Sequence, residues 1–254
     1  MKLLEIQESV LSTENLKKSF GGLVVAEGIH FRVGKNEARC IIGPNGAGKT
    51  TFFNLVTGLL SSDSGSIRIE NKDVTRLPVN ERQKLGLVRT FQAPRIFPLF
   101  SVFDNVLLAL QANRRFGSLI KCLFPNKNDT EEIQHAMEQT GLLHVSDRLA
   151  GSLSHGEKKR VEMAMAIVQK PKVLLMDEPT AGMTVKETQE IADLVNQIRR
   201  QMSVVIVEHD MEFVREIADV ISVLYKGNLV REGTLHELEN DPFIQEIYLG
   251  SVAL

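Results

Sequence analysis

"GPNGAGKT", residues 43–50, has the spacing G-x-x-x-x-G-K-[ST]. It follows "ARCIIG" (38–43), which reads as a short buried strand. It runs into "TTFFNLVTGLL", which reads as a helix ending near Gly58. Strand, glycine-rich loop and helix form the context in which this spacing carries chemistry. Gly43, Gly46 and Gly48 let the backbone wrap closely, so its N–H groups can face phosphate oxygens. The start of the helix adds a field that favours an anion. Lys49 reaches towards β- and γ-phosphates, and the Thr50 hydroxyl suits a magnesium ion.

Working outward, two continuous apolar runs, "KVLLMDE" and "SVVIVEHD", read as strands covered on both faces. The first ends in Asp177 and Glu178. A carboxylate at the C-terminal tip of a parallel strand lies where such sheets bind ligands. Asp177 there suits a metal, and Glu178 suits a general base that takes a proton from water. The second run ends at His209, whose ring suits a γ-phosphate or the attacking water. "LGLVRTFQ" reads as a further strand ending at Gln92, a candidate to touch metal or orient water. "GSIRIENKDV" alternates and reads as an edge strand closing on a turn.

Helical spacing marks "VKETQEIADLVNQIRRQM" and "MEFVREIAD", so strand and helix alternate in both outer parts. That alternation predicts a parallel sheet with helices on both faces. From about 100 to 170 the pattern turns all-helical, with a loop or broken helix expected over 116–130. Length predicts one large domain with an insert. Hydrophobic content of 43% and charged content of 24% are those of a soluble globular protein. The net charge of −2 gives no bulk attraction to nucleic acid or an anionic membrane. Two cysteines, Cys40 and Cys122, lie far apart, which fits a reducing compartment. Glu5, Glu8 and Glu14 argue against a signal peptide, and no apolar run is long enough to span a bilayer.

"LSHGEKKR", residues 153–160, sets Ser154 beside His155. A hydrolase nucleophile needs an acid to orient the histidine and a strained strand-to-helix elbow, and neither is visible. Ser154 with Glu157 is instead an S-x-x-E capping box, so the segment starts a helix.

"FGG" (20–22), "GPNGAGKTT" (43–51), Gln92, "LSHGE" (153–157), "VLLMDEP" (173–179) and "EHD" (208–210) occur in one order. Together they resemble the ATP-binding subunit of ABC transporters over nearly the whole chain. The resemblance implies an α/β P-loop NTPase with a mainly parallel core sheet, an antiparallel β edge and a helical insert. It implies a single domain over 1–254, with a catalytic core and β subdomain in 1–94 and 170–254 and a helical subdomain in 95–169. It implies ATP and Mg²⁺ as ligands. Phe20 then stacks on adenine, and Gly43, Pro44, Asn45, Gly46, Ala47, Gly48, Lys49, Thr50 and Thr51 cradle the phosphates. Thr50, Gln92 and Asp177 serve the metal; Glu178, His209 and Lys49 serve catalysis. "LSHGE" resembles the family's LSGGQ signature. Ser154, His155, Gly156 and Glu157 would then face ATP held by another cassette.

Two positions depart from the family pattern. His155 stands where a second glycine is usual, and Thr184 stands where an aspartate usually links the two ATP sites. The resemblance also implies a second cassette, identical or sister, two membrane permease subunits and, indirectly, a periplasmic binding protein. It implies no nucleic acid, and residence in the cytoplasm on the inner face of the membrane. "FGGLVVAEGIHF", "RTFQAPRIFPLFSVFDNVLLAL" and "NDPFIQEIYLG" are similar to importers of hydrophobic or branched-chain amino acids and their urea-transporting relatives. "AGMT" and "EHDMEFV" lean towards the urea type. Alternative readings are a lipopolysaccharide-exporter ATPase, a soluble ABC protein outside transport and a nucleotide sensor without turnover.

Overall fold

The computed structural model describes residues 9–112 and 125–250. The chain opens with two long strands, β1 (Ser9–Phe20) and β2 (Leu23–Gly34), paired antiparallel. Their hairpin turns at Gly21, whose φ of 55° is tolerated because glycine has no Cβ. Strand β3 (Ala38–Ile42) leads through the glycine loop into α1 (Lys49–Thr57). Gly58, at φ 81°, ends that helix where the sequence predicts. Then come β4 (Ser64–Ile69), β5 (Lys72–Asp73), α2 (Val79–Lys84) and β6 (Leu87–Arg89).

The helical stretch holds α3 (Val102–Ala112), α4 (Lys127–Gln139) and α5 (His155–Ile167). Residues 116–124 of the expected loop lie outside the described residues, as does Cys122. The rest of that loop forms the start of α4, capped by Asn126. Next follow β7 (Val173–Asp177), α6 (Val185–Ile198), β8 (Ser203–Val207) and α7 (Met211–Ile217). The chain goes on through β9 (Val220–Tyr225), β10 (Asn228–Gly233), α8 (Leu235–Glu239) and α9 (Pro242–Gly250).

Among the described residues two sheets form, ordered β2-β1-β4-β5 and β10-β9-β3-β8-β7-β6. The larger is parallel from β9 to β6, and β10 closes it antiparallel. The stretch expected as an edge strand, β4, is interior to the smaller sheet, because the two-residue β5 flanks it. The two faces of the parallel sheet are not covered alike. Leu174, Met176, Val204 and Ile206 pack towards α3–α7. Val173, Leu175, Val205 and Val207 face α1 and the inner side chains of the smaller sheet, including Leu11, Ile29, Phe31 and Ile67. Helices therefore cover one face, while α1 and a second sheet cover the other. A strand buried on both faces is apolar throughout, so its sequence does not say what covers it.

Parallel strands point their C-terminal ends the same way. β3, β8, β7 and β6 are neighbours, so the segments after them meet along one edge: the glycine loop, His209, Glu178 and Gln92. The chain steps from β6 through β7 to β8 on one side of β3, then to β9 on its other side. Such switch points are where open α/β sheets bind ligands.

Candidate functional site

Gly43, Gly46 and Gly48 take φ values of 155°, 78° and 104°. Gly48 is the residue before α1, and a Cβ there would lie 2.7 Å from the Val25 carbonyl oxygen. No other residue combines that conformation with that approach. No side chain caps α1, so its first N–H groups remain open to an anion. Lys49 Nζ folds over the loop, donating to the carbonyls of Gly43 (2.7 Å) and Pro44 (3.1 Å). Burial lowers its pKa, and the nearby charges of Glu178 and Asp177 oppose that shift.

Asp177 ends β7 with its side chain 10% exposed, and its Oδ2 accepts from Arg89 Nη2 at 2.7 Å. Arg89 also donates to Asn54 Oδ1 on α1 at 2.7 Å, and its guanidinium lies over the rings of Phe53 and Phe91. Glu178 takes a left-handed φ of 44°, which turns its side chain away from Asp177's course. Its N–H donates to the Val207 carbonyl, and its Oε2 accepts from Gln92 Nε2 at 2.8 Å. His209 Nδ1 lies 3.9 Å from Glu178 Oε1. Gln92 sits three residues past the end of β6 rather than at the strand tip.

Ser154 caps α5 as predicted: its hydroxyl accepts from the Glu157 N–H, and the Glu157 carboxylate accepts from the Ser154 N–H. That bonding lowers the Glu157 pKa. His155 is the first residue of the helix, exposed, with its ring directed towards Gly182. A Cβ at Gly156, by contrast, would overlap the Glu187 carboxylate. The segment thus has room for a side chain at 155, whereas one at 156 would have to displace the Glu187 carboxylate. Thr184 caps α6 in another capping box, with Glu187. Threonine and aspartate are both N-cap residues, so the departure keeps the cap and removes the charge. Phe20, at the end of β1, is 49% exposed.

Sequence reasoning passed over four residues that organise this edge. Arg89 is the lone charge in an apolar strand, which is its signal. Glu208 is 1% exposed, accepts from Thr180 N–H and Oγ1 and from His209 N–H, and so ties the segments after β7 and β8 together. Lys159 and Glu162 are charges on the apolar face of α5. Thr50, Gln92 and Asp177 supply only oxygen donors, the set that magnesium takes. Among the described residues no cluster of three histidine, cysteine or carboxylate side chains could hold a metal alone.

The family model described as "ABC transporter" matches residues 26–181. The chain is 34% identical over 253 residues to the high-affinity branched-chain amino acid transport ATP-binding protein LivG of Salmonella typhimurium. The match covers 96% of this chain and 99% of LivG. The ADP conformation of MJ1267, an ATP-binding cassette of an ABC transporter, superimposes with a TM-score of 0.84 at 33% identity, covering 95% and 99% of the two chains. Dimeric MJ0796, a bacterial ABC transporter cassette, gives a TM-score of 0.76 at 25% identity over 89% of this chain and 98% of its own. With the glycine loop, the acidic strand tip and the capped signature helix in one fold, the chain belongs to the ABC transporter family, as one of its ATP-binding ATPase cassettes.

Proposed function

We propose that this cassette hydrolyses Mg-ATP to drive an importer of branched-chain amino acids. The observation that carries the ATPase reading is Glu178. It stands at the tip of β7 in a left-handed conformation, between the Gln92 amide and His209, on the same sheet edge as Lys49. The cargo class rests on the name of LivG, which matches over nearly the full length of both chains. It outweighs the urea reading drawn from "AGMT" and "EHDMEFV".

The adenine stacks on Phe20, and residues 43–51 take the phosphates. Thr50, Gln92 and Asp177 would hold a magnesium ion beside the phosphates, and that ion would supply positive charge to the transferring group. Lys49 leaves its two carbonyl partners for the phosphates. Glu178, freed from the Gln92 amide, accepts the proton of the attacking water. His209 and Lys49 balance the charge that develops on the γ-phosphate. Ser154 and the first N–H groups of α5 face the nucleotide of a second cassette; MJ0796, a cassette similar to this chain, is dimeric.

Phe97, Leu99 and Phe100 follow the Gln92 loop and are 50%, 84% and 45% exposed. An apolar patch of this kind marks a protein contact, and we assign it to membrane permease subunits. Among the described residues no helix is long and apolar enough to cross a membrane. We assign the crossing to those subunits, with this chain on the cytoplasmic side.

Glu178→Gln is the test. Phosphate release should fall by about 10²-fold or more, while Mg-ATP affinity by calorimetry stays the same. Turnover at the native rate would remove Glu178 from the role of base.

A further inference from the structure

Helix α5 buries two charges on its inner face. Lys159 is 1% exposed and Glu162 is 5% exposed, and Lys159 Nζ lies 3.6 Å from Glu162 Oε2. Burying such a pair is costly, and apolar residues of similar volume often serve stability as well or better. The pair's remaining bonds all go to one target, the backbone after β6. Lys159 Nζ donates to the carbonyl oxygens of Phe91 and Gln92. Glu162 Oε1 accepts from the N–H groups of Phe91 and Arg95, each at 3.1 Å. A cation takes the loop's acceptors and an anion takes its donors.

That loop belongs to no helix or strand, and Gln92 and Arg95 are exposed on its outer side. Gln92, its second residue, donates to Glu178. At the N-terminal end of α5, one turn before Lys159, Ser154 caps the helix. The two charges sit between the residue that touches the base and the segment that faces the partner's nucleotide.

We propose that Lys159 and Glu162 are positioning residues that fasten the 91–95 loop to α5, so that Gln92 and the Ser154 end of the helix move as one body. This rests on the reading of Gln92 and Ser154 given above. Withdrawal of Gln92 from Glu178 and displacement of the signature helix are then a single event. Neither ATP site can arm its base while its own signature helix stays behind.

The test is the double substitution Lys159→Met and Glu162→Leu in the full chain, which leaves no unpaired buried charge. The loop's polar groups can turn to water, so the fold should melt at an unchanged temperature. Hydrogen exchange is followed in peptides spanning 89–97 and 153–160. It is measured without nucleotide and with the non-hydrolysable analogue AMP-PNP plus magnesium, at concentrations where light scattering reports monomers. Without nucleotide, the Phe91 and Arg95 amides should exchange about tenfold faster in the variant, the effect of losing one hydrogen bond each. With nucleotide, both segments should change in the wild type, and only 89–97 in the variant. Nucleotide affinity, measured by calorimetry, should stay within about twofold, because the phosphate loop is untouched.

Wild-type exchange rates in the variant's loop would overturn the proposal. So would a nucleotide response that still reaches 153–160 in the variant, or one that never reaches it in the wild type. Failure of the wild-type chain to bind the analogue would instead overturn the functional reading beneath it. Should the double variant not fold, Lys159→Met with Glu162→Gln keeps one acceptor for the loop. It should show a partial loss of coupling, with the loop amides about threefold faster.

Discussion

Asp177 and Glu178 leave the same strand and meet different surroundings. Asp177 is held against Arg89 within the sheet edge, while Glu178 turns outward through a positive φ towards Gln92 and His209. Their residue types and position at a strand tip are legible in "VLLMDE". The arginine that neutralises one of them is not, since it lies 88 residues away in sequence. Arg89→Met would leave a buried carboxylate without its partner and should cost about 3 kcal/mol in a urea titration. Adding Asp177→Leu to that variant should recover most of the loss, because no buried charge then remains unpaired. Lys159, Glu162 and Glu208 escaped the sequence reading for the same reason. A charged residue in an apolar run has an evident oddity, but its partner is set by packing.

At the level of elements, caps were the most readable feature. The S-x-x-E pattern at 154–157 predicted a helix start, and the structure has both reciprocal bonds. The same chemistry explains Thr184, which caps α6 through its hydroxyl and Glu187. Thr184→Ser keeps both bonds of the hydroxyl, to the Glu187 N–H and the Glu187 carboxylate, and should leave stability within about 0.5 kcal/mol, while Thr184→Ala should cost about 1 kcal/mol. Chemical denaturation of the two variants checks both. A large loss in Thr184→Ser would mean that the γ-methyl, not the hydroxyl, holds this turn. Boundaries were less readable: β6 stops at Arg89, short of Gln92, because the loop beyond bonds to α5 instead of a neighbouring strand.

Across the whole molecule, the parallel sheet gathers chemistry on one edge, and the apolar patch after Gln92 opens beside it. Leu99, at 84% exposure, contributes little to the fold and much to that surface. Leu99→Arg should leave ATP turnover of the isolated chain unchanged and prevent co-purification with the permease subunits proposed as its partners. Persistent co-purification would move the docking surface elsewhere. The alternation of strands and helices, the glycine loop, the acidic tip and the capped signature follow from local patterns: hydrophobic period, glycine spacing and hydrogen-bonding side chains a few residues apart. These were settled along the chain itself. What covers each face of the sheet, which strands are neighbours, and how Arg89, Glu208 and the Lys159–Glu162 pair are satisfied depended on the assembled fold. A buried strand reads the same whether a helix or a second sheet lies over it, and a buried charge gains a partner only when distant segments pack.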